Sequence, residues 1–255
     1  METVVKATNV KKVYGLKGSI YTALDDINLT IETGEFVGIM GPSGSGKSTL
    51  LNVLSTIDHP TSGDIFIDNT NLAQMNEDQL SAFRRDKLGF IFQDYNLLDT
   101  LTVRENILLP LALAKIKARD LNQKADKIAE QFFIDSILDK YPYQISGGQK
   151  QRTAVCRAII TNPSLLLADE PTGALDSRSA TDLLECLKEL NETDKTTILM
   201  VTHDAFAASY CKRVLFIKDG TIFTELVKGN TSRKNFFKKI LDTLSVLGGN
   251  GNDFV

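Results

Sequence analysis

Phe36-Val37-Gly38-Ile39-Met40-Gly41-Pro42-Ser43-Gly44-Ser45-Gly46-Lys47-Ser48-Thr49 decides the fold. An apolar pentapeptide with the look of a buried strand runs into a Gly/Ser turn that fits G-x-x-x-x-G-K-S, and a helix is expected directly after it. Such a turn points successive backbone N–H groups at an anion and presents the positive end of the following helix to it. Gly41, Ser43, Gly44, Ser45, Gly46, Lys47, Ser48 and Thr49 are therefore the candidate binding loop for a nucleoside triphosphate. Lys47 would reach the β- and γ-phosphates and the Ser48 hydroxyl would ligate Mg²⁺, while the glycines permit positive φ and a backbone approach that a Cβ would obstruct.

The chain has 255 residues, 42% hydrophobic and 24% charged, enough for one large domain or for a core with a subdomain. Cys156, Cys186 and Cys211 lie far apart, match no metal-ligand spacing and read as reduced core thiols. No apolar run approaches the roughly 18 residues of a membrane span, and the start Met1-Glu2-Thr3-Val4-Val5 lacks a signal-peptide pattern. The expectation is a chain that neither crosses a membrane nor is exported. A net charge of −3 offers no global attraction to nucleic acid, so no nucleic-acid partner is expected.

Ile27, Leu29 and Ile31 alternate with polar residues as in a half-exposed strand, whereas Leu165 to Ala168 and Ile198 to Val201 are unbroken apolar runs of the kind buried on both sheet faces. From Leu88-Gly89-Phe90-Ile91-Phe92 to Leu165 the pattern reads as helical throughout, which predicts an inserted subdomain. Asp219-Gly220 signals a hairpin, and Gly248 to Asn252 a flexible tail. The fold class predicted is α/β: a P-loop core with a mostly parallel sheet, an N-terminal antiparallel β portion and an inserted helical subdomain.

A phosphate loop alone leaves several enzyme classes open; a second acidic site narrows them. Ser164-Leu165-Leu166-Leu167-Ala168-Asp169-Glu170-Pro171 is an apolar strand ending in two carboxylates, and ligand chemistry in open α/β sheets lies at the carboxyl ends of strands. Asp169 can then hold the Mg²⁺ shell and Glu170 can face an attacking water. Ile145-Ser146-Gly147-Gly148-Gln149-Lys150-Gln151-Arg152 precedes another helical run and resembles the signature sequence of ATP-binding cassette proteins. The other motifs of that family follow in order: Tyr14 ahead of the loop, Gln93 after Phe92, Gly173-Ala174-Leu175-Asp176 after the acidic pair, and Val201-Thr202-His203-Asp204 after the last core strand. The resemblance spans about residues 4 to 225.

The resemblance implies a role for each of these residues. Tyr14 resembles the aromatic that stacks on adenine, although a tyrosine in a strand core reads the same way. Gln93 resembles the glutamine that contacts Mg²⁺ and the water, and His203 the histidine that hydrogen-bonds the γ-phosphate; His59 reads as incidental. Ser146, Gly147, Gly148 and Gln149 resemble the segment that completes the opposite subunit's site in a head-to-tail homodimer, so that Glu170, His203, Lys47 and Gln93 work on ATP and Mg²⁺ between two copies. Residues 1–228 would be the ATPase domain with a helical subdomain at about 94–162, followed by a helix at 229–247 and a tail at 248–255. The family more often has Leu at position 145 and Ser at 173; Gly173 forgoes a hydroxyl and is expected to loosen that segment.

Gly89 to Val103 and Glu105 to Leu111, with Leu51 to Asp58 and Val201 to Tyr210, are similar to the ATPases of macrolide-export and lipoprotein-release type transporters, and within them to the bacitracin-export group of Gram-positive bacteria. That resemblance implies a peripheral protein at the cytoplasmic face of the cell membrane, working with a permease that carries a large extracellular domain, often alongside a sensor histidine kinase, in resistance to peptides such as bacitracin or nisin. Ser232 to Leu247 places Phe236, Phe237, Ile240, Leu241 and Leu244 on one side of a helix with Arg233, Lys234, Lys238 and Lys239 largely elsewhere. Packing on the core is the favoured reading of that stripe, with a membrane-proximal role as the other.

Overall fold

A computed structural model of the chain describes residues 2–16, 18–114 and 121–248. Its strands are, in chain order, β1 (Thr3–Leu16), β2 (Ser19–Glu32), β3 (Phe36–Met40), β4 (Ser62–Ile67), β5 (Thr70–Asn71), β6 (Leu88–Ile91), β7 (Leu165–Asp169), β8 (Ile198–Val201), β9 (Arg213–Lys218) and β10 (Thr221–Val227). The helices are α1 (Lys47–Leu54), α2 (Glu77–Lys87), α3 (Val103–Leu113), α4 (Leu121–Gln131), α5 (Gly147–Ile159), α6 (Ser177–Thr193), α7 (Ala205–Ala208) and α8 (Arg233–Gly248). A four-stranded antiparallel sheet of order β2-β1-β4-β5 carries the N-terminal part. A six-stranded sheet of order β10-β9-β3-β8-β7-β6 is parallel except for β10.

The unbroken apolar runs of the large sheet follow from cover on both faces. Leu166, Ala168, Ile198 and Met200 join one buried cluster with residues of α3 to α8. Their alternates Leu165, Leu167, Leu199 and Val201 join a second cluster with α1 and the antiparallel sheet. Successive strand side chains point to opposite faces, so one run of sequence feeds both. On β2, by contrast, Ile27, Leu29 and Ile31 are buried while the residues between them are exposed. The Asp219-Gly220 turn between β9 and β10 has φ of 48° and 78°, the paired positive values of a tight hairpin.

The stretch between β6 and β7 is not helical throughout. Residues 92–102 form an irregular loop with Tyr95 and Asn96 at φ 61° and 48°. Asn106, fully buried, explains it: its Oδ1 accepts the Leu98 N–H at 2.8 Å and its Nδ2 donates to the carbonyls of Leu98 and Leu101 at 3.0 and 3.1 Å. Helical hydrogen bonding is thus replaced until the Thr102–Glu105 capping box starts α3. Cys156 and Cys211 are buried and burial pushes both thiols well up, whereas Cys186 is only partly buried; all three are free.

No helix among the described residues is long and apolar enough to cross a membrane. Most of the predicted tail, from residue 249 onward, lies outside the described residues. On α8 the stripe Phe236, Ile240, Leu244 and Leu247 is buried, Arg233 covers the rings of Phe206 and Tyr210 at 5.1 and 4.4 Å, and Lys218 donates to the Leu247 carbonyl at 3.2 Å. Phe236, Ile240 and Leu244 of the predicted stripe are core and Phe237 packs against it, whereas Leu241 is exposed. Phe236→Ala should therefore cost about 3–5 kcal/mol of unfolding free energy in urea melts, while Leu241→Ala, at a position 44% exposed, should cost less than about 0.5 kcal/mol.

Candidate active site

β3, β8 and β7 lie side by side, and their register sets the site. Ile39 pairs with Val201, and Val201 pairs with Asp169, so the three chains leave the sheet in one row. Two further bonds continue the ladder past the strand ends: the Thr202 N–H donates to Ile39 O at 3.0 Å and the Glu170 N–H to Val201 O at 2.9 Å. The phosphate loop, Glu170 and His203 consequently open into one cavity of about 480 Å³, lined by Gly41, Ser43, Gly44, Gly46, Lys47, Ser48, Thr49, Glu170 and His203, with Val201 and Tyr21, while Asp169 stands outside its lining.

Two of the loop glycines are dictated by space. A Cβ on Gly41 would lie 2.1 Å from the Ile217 carbonyl oxygen, and one on Gly46, at φ 105°, 2.4 Å from that of Ala23. Gly46 also precedes α1 without any side-chain cap, so the first N–H groups of that helix are left for an anion. Lys47 rests its ammonium on the carbonyls of Gly41 and Pro42 at 2.9 and 2.8 Å; burial lowers its pKa, with Glu170 and Asp169 opposing. Ser45, predicted as part of the binding loop, is turned inward: its hydroxyl is buried without a partner, its N–H donates to the Pro42 carbonyl and its own carbonyl accepts from the Gly220 N–H, and it does not line the cavity.

Glu170 has φ 45°, a left-handed conformation that costs a non-glycine residue roughly 1–2 kcal/mol. Its Oε1 accepts from His203 Nδ1 at 2.9 Å. A carboxylate only accepts, so the Nδ1 of His203 carries the proton in this pair. Asp169 beside it is pushed up by burial and by the Glu170 charge, with Lys47 pulling the other way. Ser48, Asp169 and Gln93 are all oxygen donors, the chemistry that suits Mg²⁺, and the described residues hold no cluster of three or more His, Cys, Asp or Glu for a metal.

Gln93, Tyr14 and the signature residues do not line this cavity. Gln93 lies against Gly173, where a Cβ would meet its Cδ at 3.1 Å. Ser146 caps α5 in a reciprocal box with Gln149, and Gly147 faces the Tyr95 hydroxyl, where a Cβ would come within 3.0 Å. Tyr14 is 39% exposed, donates its hydroxyl to Asp58 Oδ2 at 2.7 Å and lies under the Lys12 ammonium at 4.8 Å. The His59 ring reaches the exposed Glu77, at 3.1 Å. Tyr21 was missed by the motifs: it pairs with Tyr14 across β1 and β2, lines the cavity, and donates its hydroxyl to the Gly44 carbonyl at 2.9 Å. The signal for it was the strand pairing, which places Tyr21 on the same face as a motif residue.

Residues 24–173 match the ABC transporter family, and the chain belongs to it. It is an ATPase of that family, built on the ATP-binding cassette. It is 56% identical over 253 residues to the ABC transporter ATP-binding protein YvcR of Bacillus subtilis, covering 98% of this chain and 97% of that protein. It is also 56% identical over 250 residues to the bacitracin export ATP-binding protein BceA of Halalkalibacterium halodurans, covering 98% of this chain and 99% of the relative. Among solved structures it is similar to a dimeric, post-hydrolysis state of the ATP-binding cassette MJ0796 bound to ADP and Pi, with TM-score 0.80, 42% identity, and cover of 88% of this chain and 98% of that one.

Asp58 provides a pH test of the Tyr14 end. Burial pushes its carboxyl up, but hydrogen bonds from Lys12, Tyr14 and the His59 N–H outweigh this and leave it below the usual range. A carboxylate depressed in the folded state stabilises above its unfolded pKa, and the contribution is lost as pH falls through the folded value. Asp58→Asn should lower stability at pH ~7 by about 1–2 kcal/mol, the gap closing below about pH 3 in parallel urea melts.

Proposed function

We propose that this ATPase powers a membrane permease in resistance to antimicrobial peptides of the bacitracin or nisin kind, as a peripheral homodimer on the cytoplasmic side of the membrane. The observation that carries this reading is 56% identity to a bacitracin export ATP-binding protein over 98% of this chain, an alignment that extends through α8 and well beyond the ATPase motifs.

In this reading the Lys47 ammonium and the free N–H groups at the start of α1 neutralise the ATP phosphates, and Tyr14 stacks on the base. Ser48, Asp169 and Gln93 hold Mg²⁺, which when bound offsets charge on the β- and γ-phosphates. Glu170 takes the proton from the attacking water, and His203, donating to Glu170 through Nδ1, fixes that carboxylate. Ser146, Gly147, Gly148 and Gln149, which stand outside their own chain's cavity, serve the phosphate bound by a second copy. A groove of about 410 Å³ lined by Phe90, Phe92, Leu109, Pro110 and Leu113 opens beside the 92–102 loop, and its apolar lining suits a cytoplasmic helix of the permease. That permease is the one expected to carry an extracellular domain and to link to a sensor histidine kinase.

Glu170→Gln should bind ATP normally, lose about 10²-fold or more in turnover and accumulate an ATP-bound dimer on size exclusion. Turnover at the wild-type rate would remove the base assignment. Leu113→Asp, at a position 62% exposed, should keep basal ATPase activity and thermal stability while losing the co-purifying permease from native membranes; retention of the permease would move the docking surface elsewhere.

A further inference from the structure

One buried side chain holds the main chain next to both the sensor and the base. Gln151, on α5 just past the signature, is fully buried. Its Nε2 donates to the Pro171 carbonyl at 2.8 Å and to the Phe92 carbonyl at 3.3 Å. Phe92 immediately precedes Gln93, and Pro171 immediately follows Glu170. The two chains leave the sheet as neighbours, since β6 pairs with β7 up to Ile91 opposite Ala168, and the recorded register ends there. Beyond it, the Gln151 carboxamide spans them.

The other end of the same side chain points to a role besides stability. Gln151 Oε1 is buried without a hydrogen-bond partner. An orphaned acceptor costs about 1–3 kcal/mol, which an apolar side chain of similar shape avoids. The two donated bonds must therefore do something that packing alone does not. A second side chain of α5 works on the same loop: Arg157 donates to the carbonyl of Tyr95 at 2.7 Å and to that of Asn96, both residues in the left-handed region. α5 thus grips the main chain on both sides of Gln93 and directly after Glu170.

We propose that Gln151 is a positioning residue that keeps Gln93 and Glu170 in fixed register with each other and with the signature helix. The inference rests on the roles given to those two residues above. Losing the carboxamide donor lets the two loops shift independently. Misplacing a base and a sensor by about 1 Å is enough to cost up to about 10²-fold in turnover without changing the phosphate loop that binds ATP.

The test is Gln151→Met, which removes the donor and the orphaned acceptor together and so is expected to fold. Its melting temperature should stay within about 4 °C of wild type, a shift worth some 1 kcal/mol or more. The Kd for ATP, read with Mg²⁺ and a fluorescent nucleotide, should change less than about threefold while kcat falls about tenfold or more. In the Glu170→Gln background the same substitution should give a clearly smaller fold-loss in single-turnover cleavage, because one of the two groups it positions is already gone. Gln151→His, which keeps one N–H donor, should recover at least about threefold in kcat over the methionine variant. An unchanged kcat in Gln151→Met, the same fold-loss with or without Glu170, or a histidine variant no better than methionine overturns the proposal. If the methionine variant does not fold, the histidine variant decides alone: folded with near-wild-type ATP Kd and a kcat reduced about threefold or more supports the role, and wild-type kcat or failure to fold overturns it. An active Glu170→Gln removes the premise, whereas an inactive Glu170→Gln beside a fully active Gln151→Met removes this inference alone.

Discussion

The parallel register of β3, β8 and β7 is the constraint on which the site depends. Ile39, Val201 and Asp169 lie in one row, and the two hydrogen bonds beyond the strand ends carry that row into Thr202 and Glu170. Three loops that are more than thirty residues apart in sequence are brought together by main-chain bonding. The side chains then need only short reaches: His203 to Glu170 at 2.9 Å, and Lys47 within the influence of both acids. A slip of one residue in any of these strands would turn a two-sided apolar run over and move the site off the row.

The strained φ of Glu170 makes sense in this setting. Its N–H is held by Val201 and its carbonyl accepts from the Gly173 N–H at 3.0 Å, so its conformation is fixed from both sides. The cost of a left-handed glutamate is met by the sheet and the following turn, and the carboxylate is thereby aimed back over the row instead of along the strand.

Much of this was legible in the sequence because it rests on local patterns. The Gly-rich loop needs Gly41 and Gly46 for contacts of 2.1 and 2.4 Å that no Cβ tolerates, and such needs leave a motif. The apolar runs at Leu165 and Ile198 marked doubly covered strands, and Asp219-Gly220 marked its hairpin. What the sequence did not disclose depends on long-range partners. The 92–102 segment leads into apolar residues at helical spacing, yet the Asn106 side chain binds both the N–H and the carbonyl of Leu98, eight residues away. Tyr21 reaches the cavity only because β1 pairs with β2, and the Ser45 hydroxyl between two loop glycines is buried without a partner. Gln151 looks like one more polar residue after the signature until its two carbonyl partners are seen together.

Gly173 shows why a departure from a family pattern needs its surroundings. From sequence, glycine in place of serine reads as a lost hydroxyl and a looser segment. In the folded chain a Cβ there would stand 3.1 Å from Gln93 Cδ and 3.2 Å from its Nε2, tighter than ordinary contact. Glycine lets the Gln93 carboxamide lie directly on the turn that follows Glu170. Gly173 donates its own N–H to the Glu170 carbonyl, so the turn is fixed on one side by Glu170 and covered on the other by Gln93. Gln93 and Glu170 thus meet at one turn, the turn whose Pro171 carbonyl accepts from Gln151.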